Sequence, residues 1–453
     1  MKEKDRLYYS KEFPVLDDAD VIVVGAGPSG IAASICASRL GKKVYLIEAT
    51  GCLGGLGTTG LVPGFAPMGD GFNFLADGVA REIVERLKKY NYANFNYDDL
   101  AEMRWIPYNP EYLKLVYDEL VTENNIEVRL FTKLIDVIVE DNKIKYVVLS
   151  GNSSTYALKG KIFIDCTGDA TLSYLAGVPC EVGDEKGNTQ APTLCSIFAN
   201  VDWEKYRNFL RETGQGGSLV KTLKKAIDDG VFSVPDLHLP GAFLNGKYIA
   251  GMNVGHLYET NCLDDVQLTR AMINGRKLVQ EFLYFYRNYV PGFENAELVV
   301  TAPILGVRET RRIVGKYILT AEDFLARRSF PDEIGRYNYP IDIHRSTPSE
   351  EDYKAFEEEF FKMYRYKEGE SYGIPYRSLV PVNIKNLLVA GRCISTDRKM
   401  QGSTRVMPCC FITGQAVGTA AGLCIDNNVI PEELNTEILR ETLRKFGAYI
   451  PSK

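Results

Sequence analysis

Three glycines near the start of the chain have the spacing of a phosphate-binding turn. A run of β-branched residues at 21–24 leads into the pattern Gly-x-Gly-x-x-Gly at residues 25–30. A helical pattern follows at 31–40, and a second apolar run ends at Glu48. This order predicts a β-α-β unit that binds a dinucleotide.

Each residue of the turn has its own predicted role. Gly25 allows the tight turn from strand to helix, and Gly30 lets the helix pack close to the strand. Gly27 has no Cβ to keep a pyrophosphate away from the backbone. Pro28 and Ser29 begin the helix, whose free N–H groups and positive dipole end favour a diphosphate.

Glu48 and the glycine-rich loop after it extend this predicted site. Glu48 is placed to accept hydrogen bonds from ribose hydroxyls, and its charge disfavours the 2′-phosphate of NADP. Residues 51–60 hold too many glycines for a regular helix or a central strand. We predict that Gly54, Gly55 and Thr58 form a wall of the cofactor site, and a flexible linker is the alternative.

The richest polar cluster is formed by Arg308, Glu309, Arg311 and Arg312. On either a strand or a helix, at least two of these guanidiniums share a face. Such a pair would hold an anionic substrate by bidentate hydrogen bonds, so Arg308 and Arg311 are candidate catalytic residues. The alternative is a structural salt bridge to Glu309 at a domain interface.

A general acid or base is sought among the three histidines of the chain, His238, His256 and His344. His344 is the main candidate because it lies beside an acidic residue in a turn-like segment. A structural histidine is the alternative, since one isolated His has no informative spacing. His256 and the pair Tyr376 and Arg377 are weaker candidates of the same kind.

The ten cysteines have neither Cys-x-x-Cys nor Cys-x-x-x-x-Cys spacing, so no metal site, iron–sulfur cluster or local redox disulfide is predicted. Buried thiols in a reducing compartment fit them better. Cys409 and Cys410 are adjacent, which leaves a redox-active pair as an alternative to two inert buried thiols.

Length and charge narrow the class of protein. A chain of 453 residues is expected to fold as two or three domains. The net charge of −6 and the absence of a basic stripe argue against a nucleic-acid partner. No apolar run precedes Val21, so we predict a cytoplasmic protein. Residues 406–425 are long enough to span a membrane, but Pro408, Thr413 and Gln415 favour a buried helix.

The remaining patterns complete a predicted α/β fold: a Rossmann-like domain with a parallel sheet and a β-meander, plus an inserted α+β domain. Helices are predicted within 72–122, and strands at 126–131, 134–139 and 144–149 as a small antiparallel meander. Residues 161–165 then form a buried strand that ends in the turn Thr167-Gly168-Asp169.

The closing segment is predicted to return to the first unit. A buried strand ends at Gly391 and Arg392, and residues 402–408 start a helix with Gly414, Gly418 and Gly422 on one face. That face permits close backbone packing against the first helix. The predicted domains are therefore 15–175 with 385–453 for the cofactor, and 176–384 for the substrate.

Four stretches, at 305–315, 339–344, 372–377 and 389–395, resemble the bacterial FAD-dependent oxidoreductase family. This family belongs to the glutathione-reductase-like flavoprotein class and is related to the FAD domain of the flavin-binding component of heterodisulfide reductase. The resemblance covers nearly the whole chain. The iron–sulfur cysteines of heterodisulfide reductase are absent from this sequence, and so is the tryptophan motif of flavin halogenases.

The resemblance implies a non-covalent FAD as the cofactor. It implies that Thr167, Gly168 and Asp169 touch the FAD, and that the closing segment with Gly391, Arg392, Gly402 and Ser403 caps the isoalloxazine end. A positive helix end there would stabilise negative charge on a reduced flavin.

We therefore expect an enzyme that transfers a hydride between a small organic substrate and flavin N5. An anionic substrate is one form of this prediction. An FAD-carrying electron-transfer subunit that works with a protein partner is the alternative. A second Gly-x-Gly-x-x-Gly unit for a nicotinamide is absent from the sequence. A homo-oligomer is compatible with the sequence.

Overall fold

The computed structural model of the protein describes residues 7–90, 99–344 and 347–451. The helices are α1 (Pro28–Arg39), α2 (Val79–Leu87), α3 (Pro110–Glu123), α4 (Thr171–Leu175), α5 (Trp203–Thr213), α6 (Val220–Asp228), α7 (Asp265–Tyr289), α8 (Ala321–Leu325), α9 (Glu350–Glu358), α10 (Arg398–Thr404), α11 (Met407–Asn427) and α12 (Thr436–Lys445). A π-helical turn, Glu359–Met363, extends α9.

Short strands alternate with these helices. The strands are β1 (Val15–Val24), β2 (Val44–Ile47), β3 (Gly64–Phe65), β4 (Ile106–Pro107), β5 (Glu127–Arg129), β6 (Lys133–Glu140), β7 (Lys143–Ser150), β8 (Thr155–Asp165), β9 (Cys180–Val182), β10 (Ser196–Ala199), β11 (Gly241–Gly246), β12 (Ile249–Asn253), β13 (Glu297–Thr301), β14 (Arg311–Ile313), β15 (Glu333–Tyr337), β16 (Tyr372–Pro375) and β17 (Leu387–Val389).

The main sheet has the order β5-β2-β1-β8-β7-β6, and β17 pairs with the end of β8. Strand β1 pairs in parallel with β2 on one side and with β8 on the other. Its residues 21–24 are all buried, as a strand covered on both faces requires. The predicted β-α-β unit and the α/β fold class are therefore confirmed.

The meander differs from the prediction in one strand. Strands β6, β7 and β8 pair antiparallel in sequence order, as a meander does. Strand β5, predicted as part of the meander, instead pairs in parallel with β2 at the sheet edge, with Tyr45 opposite Glu127. The prediction placed β5 wrongly because its three residues have no pattern that distinguishes a parallel from an antiparallel neighbour.

Helices α2 and α3 confirm the predicted helical segment within 72–122, of which residues 91–98 lie outside the described part. Helix α7 also agrees with the sequence, and Asp264 caps it by accepting from the backbone N–H groups of Val266 and Gln267. Such caps satisfy the free donors of a helix start.

A second, smaller sheet has the antiparallel order β11-β12-β10-β13. Its core is formed by residues from 194 to 305 together with Leu61, and α7 contributes Phe282 and Phe285. Apolar residues from Ile313 to Ile384 pack instead in the core of the main sheet. The predicted division into 15–175 with 385–453 and 176–384 stays a prediction.

The contact between α1 and α11 closes the fold. A Cβ on Gly414 would lie 2.3 Å from the carbonyl oxygen of Ser29, and one on Gly418 would lie 2.1 Å from that of Ala33. Both positions therefore require glycine. The predicted packing of the closing helix on the first unit is confirmed, and that helix begins at Met407, within the predicted start at 402–408. Residues 402–404 end a separate short helix, α10.

Helix α11 is long and apolar enough to cross a membrane by length and composition alone. In the fold, 94% of its most apolar window is buried inside the protein. This agrees with the predicted buried helix, whose neighbours are α1 and the main sheet.

Gly418→Val should destabilise the protein, because two backbones would have to separate to admit the side chain. We expect the free energy of unfolding to fall by about 3 kcal/mol or more, visible as a lower thermal midpoint in calorimetry. Gly216→Ala is the control, since a Cβ there would meet nothing within 4 Å. Equal midpoints for the two variants would contradict the proposed close packing.

Candidate functional site

One cavity of about 950 Å³ lies where the C-terminal ends of β1, β2 and β8 meet the second sheet. This is the upper end of the usual size for ligand pockets. Thirteen of the sequence-predicted site residues line it: Gly25, Gly27, Pro28, Ser29, Glu48, Gly55, Thr167, Gly168, Asp169, Arg308, His344, Gly391 and Arg392.

The turn between β1 and α1 has the backbone that its glycines require. Gly25 has a φ of +95°, and a Cβ on it would lie 2.4 Å from the carbonyl oxygen of Cys166. A Cβ on Gly30 would lie 1.9 Å from the carbonyl oxygen of Gly25. A Cβ on Gly27 would meet no protein atom within 4 Å, because this position faces the cavity.

Two helices open on the cavity without a side-chain cap. Helix α1 begins after Gly27 and α11 begins after Val406, and neither first turn donates a hydrogen bond to a capping side chain. Val406 and Met407 line the cavity. The positive dipole ends of α1 and α11 therefore lie at the cavity wall, where negative charge is favoured.

Glu48 lines the cavity at the end of β2. Its Oε2 accepts from the backbone N–H of Ala26 at 2.9 Å, and its Oε1 accepts from that of Thr50 at 2.8 Å. A carboxylate has about four lone-pair sites, so both oxygens can accept further bonds from a ligand.

The glycine loop after Glu48 is shaped by Gly54 and Thr58, which lie behind the cavity wall. The backbone N–H of Gly54 donates to Ala26 at 2.8 Å, and the Thr58 hydroxyl donates to Leu53 at 2.5 Å. Gly55 faces the cavity, and a Cβ on it would lie 3.1 Å from the Cα of Gly27. The loop is therefore ordered against the first turn, and only part of it reaches a ligand.

Asp165 fixes the turn that follows β8. Its Oδ1 accepts from the backbone N–H and the hydroxyl of Thr167 at 3.0 and 2.7 Å. Asp169 accepts from Arg392, so this turn and the closing segment are tied together at the cavity. The Nε of Arg392 is buried and has no partner among the described residues.

Gly402 and Ser403 do not reach the cavity, which corrects the predicted boundary of the cap. A Cβ on Gly402 would lie 2.9 Å from the backbone N of Asp342. The Ser403 hydroxyl donates to Tyr339 at 2.5 Å and bonds Tyr372 at 2.8 Å. Both residues support the segment 339–343 from behind, and Arg405 is the residue of this stretch that lines the cavity.

The arginines of the predicted cluster lie in different environments. Glu309 is fully buried and accepts from Arg312 at 2.7 Å and from Arg398 at 3.3 Å. Arg311 donates to the backbone of Asp169 at 3.2 Å, outside the cavity lining. The structural alternative thus holds for Arg312, and Arg308 is the member that faces the cavity.

Arg308 is a buried cation without a carboxylate partner in the described part of the chain. Its side chain is 7% exposed, and Nη1 donates to Ala191 at 2.6 Å and to the Thr193 hydroxyl at 2.9 Å. Burial, and next the charge of Arg405, lower the pKa of Arg308 to about 10. An anion bound in the cavity would restore the missing countercharge.

All three histidines of the chain meet at one side of the cavity, which the sequence did not predict. The His256 ring bonds Asp236 at 2.6 Å through Nδ1 and His344 at 2.7 Å through Nε2. The His238 ring stacks on His344 with centroids 4.6 Å apart. Asp342 Oδ1 lies 3.4 Å from His344 Nε2.

Two rings of this histidine cluster, His238 and His344, are neutral at neutral pH. Burial, and next the neighbouring His256, lower the pKa of His238 to about 3. Burial, and next the charge of Arg308, hold the pKa of His344 well below its ordinary value. The ring nitrogens lie within 4.8 Å of one another, a spacing that would suit a metal ion. However, both ring nitrogens of His256 are already bonded, one to Asp236 and the other to His344.

Aromatic side chains form the outer wall of the cavity. Trp105 packs edge-on against Phe243 at 5.5 Å and against Tyr339 at 6.1 Å, and Phe356 stacks on Phe360 at 5.2 Å. All five line the cavity. The sequence contained no signal for this wall, because its members come from separate elements.

Cys410 lines the cavity and its neighbour Cys409 is fully buried. Burial raises the pKa of Cys410 to about 12, so that its side chain is a thiol at neutral pH. The thiol donates to the carbonyl oxygen of Arg405 at 3.4 Å. This environment favours the inert alternative over a reactive thiolate.

Comparisons with solved structures give distant likenesses. A geranylgeranyl bacteriochlorophyll reductase-like protein from Thermoplasma acidophilum is 12% identical with a TM-score of 0.46, covering 95% of this chain and 82% of that one. A p-nitrophenol 4-monooxygenase from Pseudomonas putida is 11% identical with a TM-score of 0.45, covering 94% and 84%.

Similarity to curated proteins is confined to a short region. A dihydrolipoyl dehydrogenase from Trypanosoma brucei brucei is 49% identical over 43 residues, which is 10% of this chain and 9% of that protein. One from Manduca sexta is 46% identical over 46 residues, again 10% and 9%. The match spans only about a tenth of these relatives.

A family model matches nearly the whole chain. The model described as FAD dependent oxidoreductase aligns with residues 20–443, which include the glycine turn, the second sheet and the closing helix. The matched range includes both the N-terminal and the C-terminal residues that line the cavity. The chain belongs to the FAD dependent oxidoreductase family.

Proposed function

We propose that this FAD-dependent oxidoreductase transfers a hydride between flavin N5 and a small organic anion with an aromatic or apolar body. The observation that carries the proposal is the position of Arg308. It is a buried cation without a carboxylate partner among the described residues, and it shares one cavity with the dinucleotide turn. The proposal does not depend on a closer relation to the glutathione-reductase-like class or to heterodisulfide reductase.

The residues at the cavity fit a bound FAD. Gly27 and Gly55 leave space at the backbone for the pyrophosphate, and the free end of α1 supplies N–H donors. Glu48 has lone pairs left for ribose hydroxyls. When bound, FAD supplies the hydride acceptor or donor.

The other end of the cavity fits the flavin ring and its substrate. The free N-terminus of α11 would face the ring and favour its reduced, anionic form. Arg308 would hold the anionic group of the substrate, and the aromatic wall with Trp105 and Phe360 would cover its apolar body. The substrate therefore lies between the two cores.

Substitution Gly27→Val should abolish flavin binding and leave the protein folded. The added side chain would point into the cavity, where it would occupy the place of the pyrophosphate, and its Cβ would meet no protein atom within 4 Å. The measurements are the flavin absorbance of the purified variant after dialysis against FAD and its circular dichroism.

Gly151→Val is the matched control for this test. A Cβ at Gly151 would make only ordinary contacts, the nearest at 3.6 Å to Tyr156, and Gly151 is not part of the cavity lining. A Gly27→Val protein with the same flavin stoichiometry as the control would contradict the assigned pyrophosphate site.

Substitution Arg308→Met should weaken the binding of an aromatic anion without loss of FAD. Benzoate is a suitable probe because it combines a carboxylate with an aromatic ring, and its binding is read from the perturbed absorbance of the bound flavin. A hydrogen bond to a charged group contributes about 1.5–3 kcal/mol, so benzoate affinity should fall by about 10- to 100-fold.

Arg311→Met is the matched control for the benzoate titration. Arg311 has the same side chain three residues away but is not part of the cavity lining, since its guanidinium donates to the backbone of Asp169 and lies over the Tyr174 ring. Its benzoate affinity should equal that of the wild type. Equal affinities in wild type and Arg308→Met, or no benzoate effect in the wild type, would refute an anion site at Arg308.

A further inference from the structure

The histidine cluster contains a continuous chain of polar contacts between two carboxylates. The chain runs from Asp236 Oδ2 to His256 Nδ1 at 2.6 Å, from His256 Nε2 to His344 Nδ1 at 2.7 Å, and from His344 Nε2 to Asp342 Oδ1 at 3.4 Å. We call these four residues the relay. His344 and Asp342 line the cavity, and His256 and Asp236 lie behind them.

The relay crosses from one core to the other. His256 lies between Val254 and Leu257 of the second core, and His344 follows Ile343 of the first core. Gln190 holds the junction, because its side-chain oxygen accepts from the backbone N–H of His344 at 3.2 Å. The backbone of His344 is therefore held where the two cores meet.

The number of protons in the relay is one fewer than the number of contacts. A neutral imidazole has one N–H, so His256 and His344 together supply two protons. The relay has three contacts between an acceptor and a ring nitrogen or between two ring nitrogens, and each contact needs one proton. One contact must therefore lie open when both rings are neutral.

The distances show which contact is open. A separation of 2.6 Å between His256 and Asp236 requires the proton of His256 on Nδ1, because two bare acceptors would repel each other. His256 Nε2 is then an acceptor, so His344 donates to it from Nδ1. His344 Nε2 is left bare, which agrees with the long 3.4 Å contact and with an Asp342 Oδ1 that has no donor among the described residues.

Charged and titratable groups surround the relay. Arg405 donates to Asp342 Oδ2 at 2.9 Å, and the Tyr339 hydroxyl donates to the same oxygen at 3.2 Å. The other neighbours are Arg308, His238 and Tyr258. Arg405 offsets the charge of Asp342, and the bare His344 Nε2 is the acceptor left open in this buried environment.

We propose that the relay accepts one proton from the substrate at His344 Nε2 during oxidation, and returns it in the reverse direction. The proposal rests on the proposed hydride transfer. Bound FAD would supply the acceptor for the substrate's hydride with its electron pair, and the proton of the substrate's O–H or N–H group would pass to His344 Nε2. The new Nε2–H bond donates to Asp342 Oδ1, which closes the open contact.

The members of the relay have different roles. His344 is the catalytic residue because it faces the cavity and exchanges the proton. His256 and Asp236 are positioning residues, since their hydrogen bonds fix the His344 tautomer that leaves Nε2 bare. The sequence makes His344 a candidate general base, and the relay gives that base its hydrogen-bond partners and its tautomer. The spacing of one histidine in a sequence cannot supply either.

The positions of the ring protons in the relay can be measured directly by NMR, because the three histidines of the chain give only three sets of ring signals. Protein with ring-¹⁵N-labelled histidine is measured at neutral pH in EDTA, with its FAD content recorded. The ¹⁵N shifts distinguish protonated from bare ring nitrogens. We expect His256 with a protonated Nδ1 and His344 with a protonated Nδ1 and a bare Nε2.

The substitution Asp236→Asn tests whether the two rings are coupled. The carboxylate accepts from His256 and, at 2.9 Å, from the backbone N–H of His238, whereas asparagine has one oxygen for these two donors. The amide N–H of Asn should therefore donate to His256, so the proton of His256 moves to Nε2 and that of His344 moves to Nε2. A merely structural Asp236 would not move the proton of His344.

Asp332→Asn is the control, since this buried carboxylate bonds Arg377 and no member of the relay. It should leave all three ring patterns unchanged. A wild-type His344 with its proton on Nε2, or an unchanged His344 in folded Asp236→Asn, would overturn the relay. Neither readout depends on flavin turnover, so a relay that fails while FAD binds is distinguishable from a failed hydride-transfer proposal.

Discussion

The fold depends on the direct approach of two helix backbones. Helix α1 follows the first strand of the main sheet and α11 follows the last, and glycines at 414 and 418 let α11 lie on the carbonyl oxygens of Ser29 and Ala33. This contact sets the free N-terminus of each helix at the same cavity. Two positive dipole ends from opposite ends of the sequence thus share one ligand site.

Charge pairing then decides which polar groups remain available to a ligand. Glu309 is fully buried and pairs with Arg312 and Arg398, so both cations have a carboxylate partner within the protein. Asp342 similarly pairs with Arg405, which donates to its Oδ2. Arg308 is left without such a carboxylate in the described structure, beside the histidine cluster. The cavity therefore combines a cofactor turn, a free cation and a base within one wall.

The sequence was sufficient for those parts of the site that local patterns determine. The Gly-x-Gly-x-x-Gly turn, Glu48 at the next strand end and the small-residue face of α11 each depend on residues close together in the chain. Most of the predicted lining residues around Gly27, Thr167 and Gly391 do face the cavity. The same patterns could not separate Gly55, which faces the cavity, from Gly54 behind it.

Parts of the site that depend on tertiary contacts could not be predicted. His256 and His344 are 88 residues apart and meet only because the two cores pack together. The choice between Arg308 and Arg311 depends on where Glu309 is buried, and the parallel partner of β5 depends on the sheet edge. None of these has a signature in local spacing, since each is set by which segments become neighbours.

The most direct test of the account is anaerobic mixing of the FAD-loaded protein with a panel of aromatic and aliphatic hydroxy acids and amino acids, with NADH and with uncharged alcohols. Bleaching of the flavin absorbance is followed by stopped flow. The account predicts saturable bleaching by at least one aromatic anion and none by the uncharged alcohol of the same shape. Reduction by no member of the panel except NADH would contradict it and favour an electron-transfer subunit.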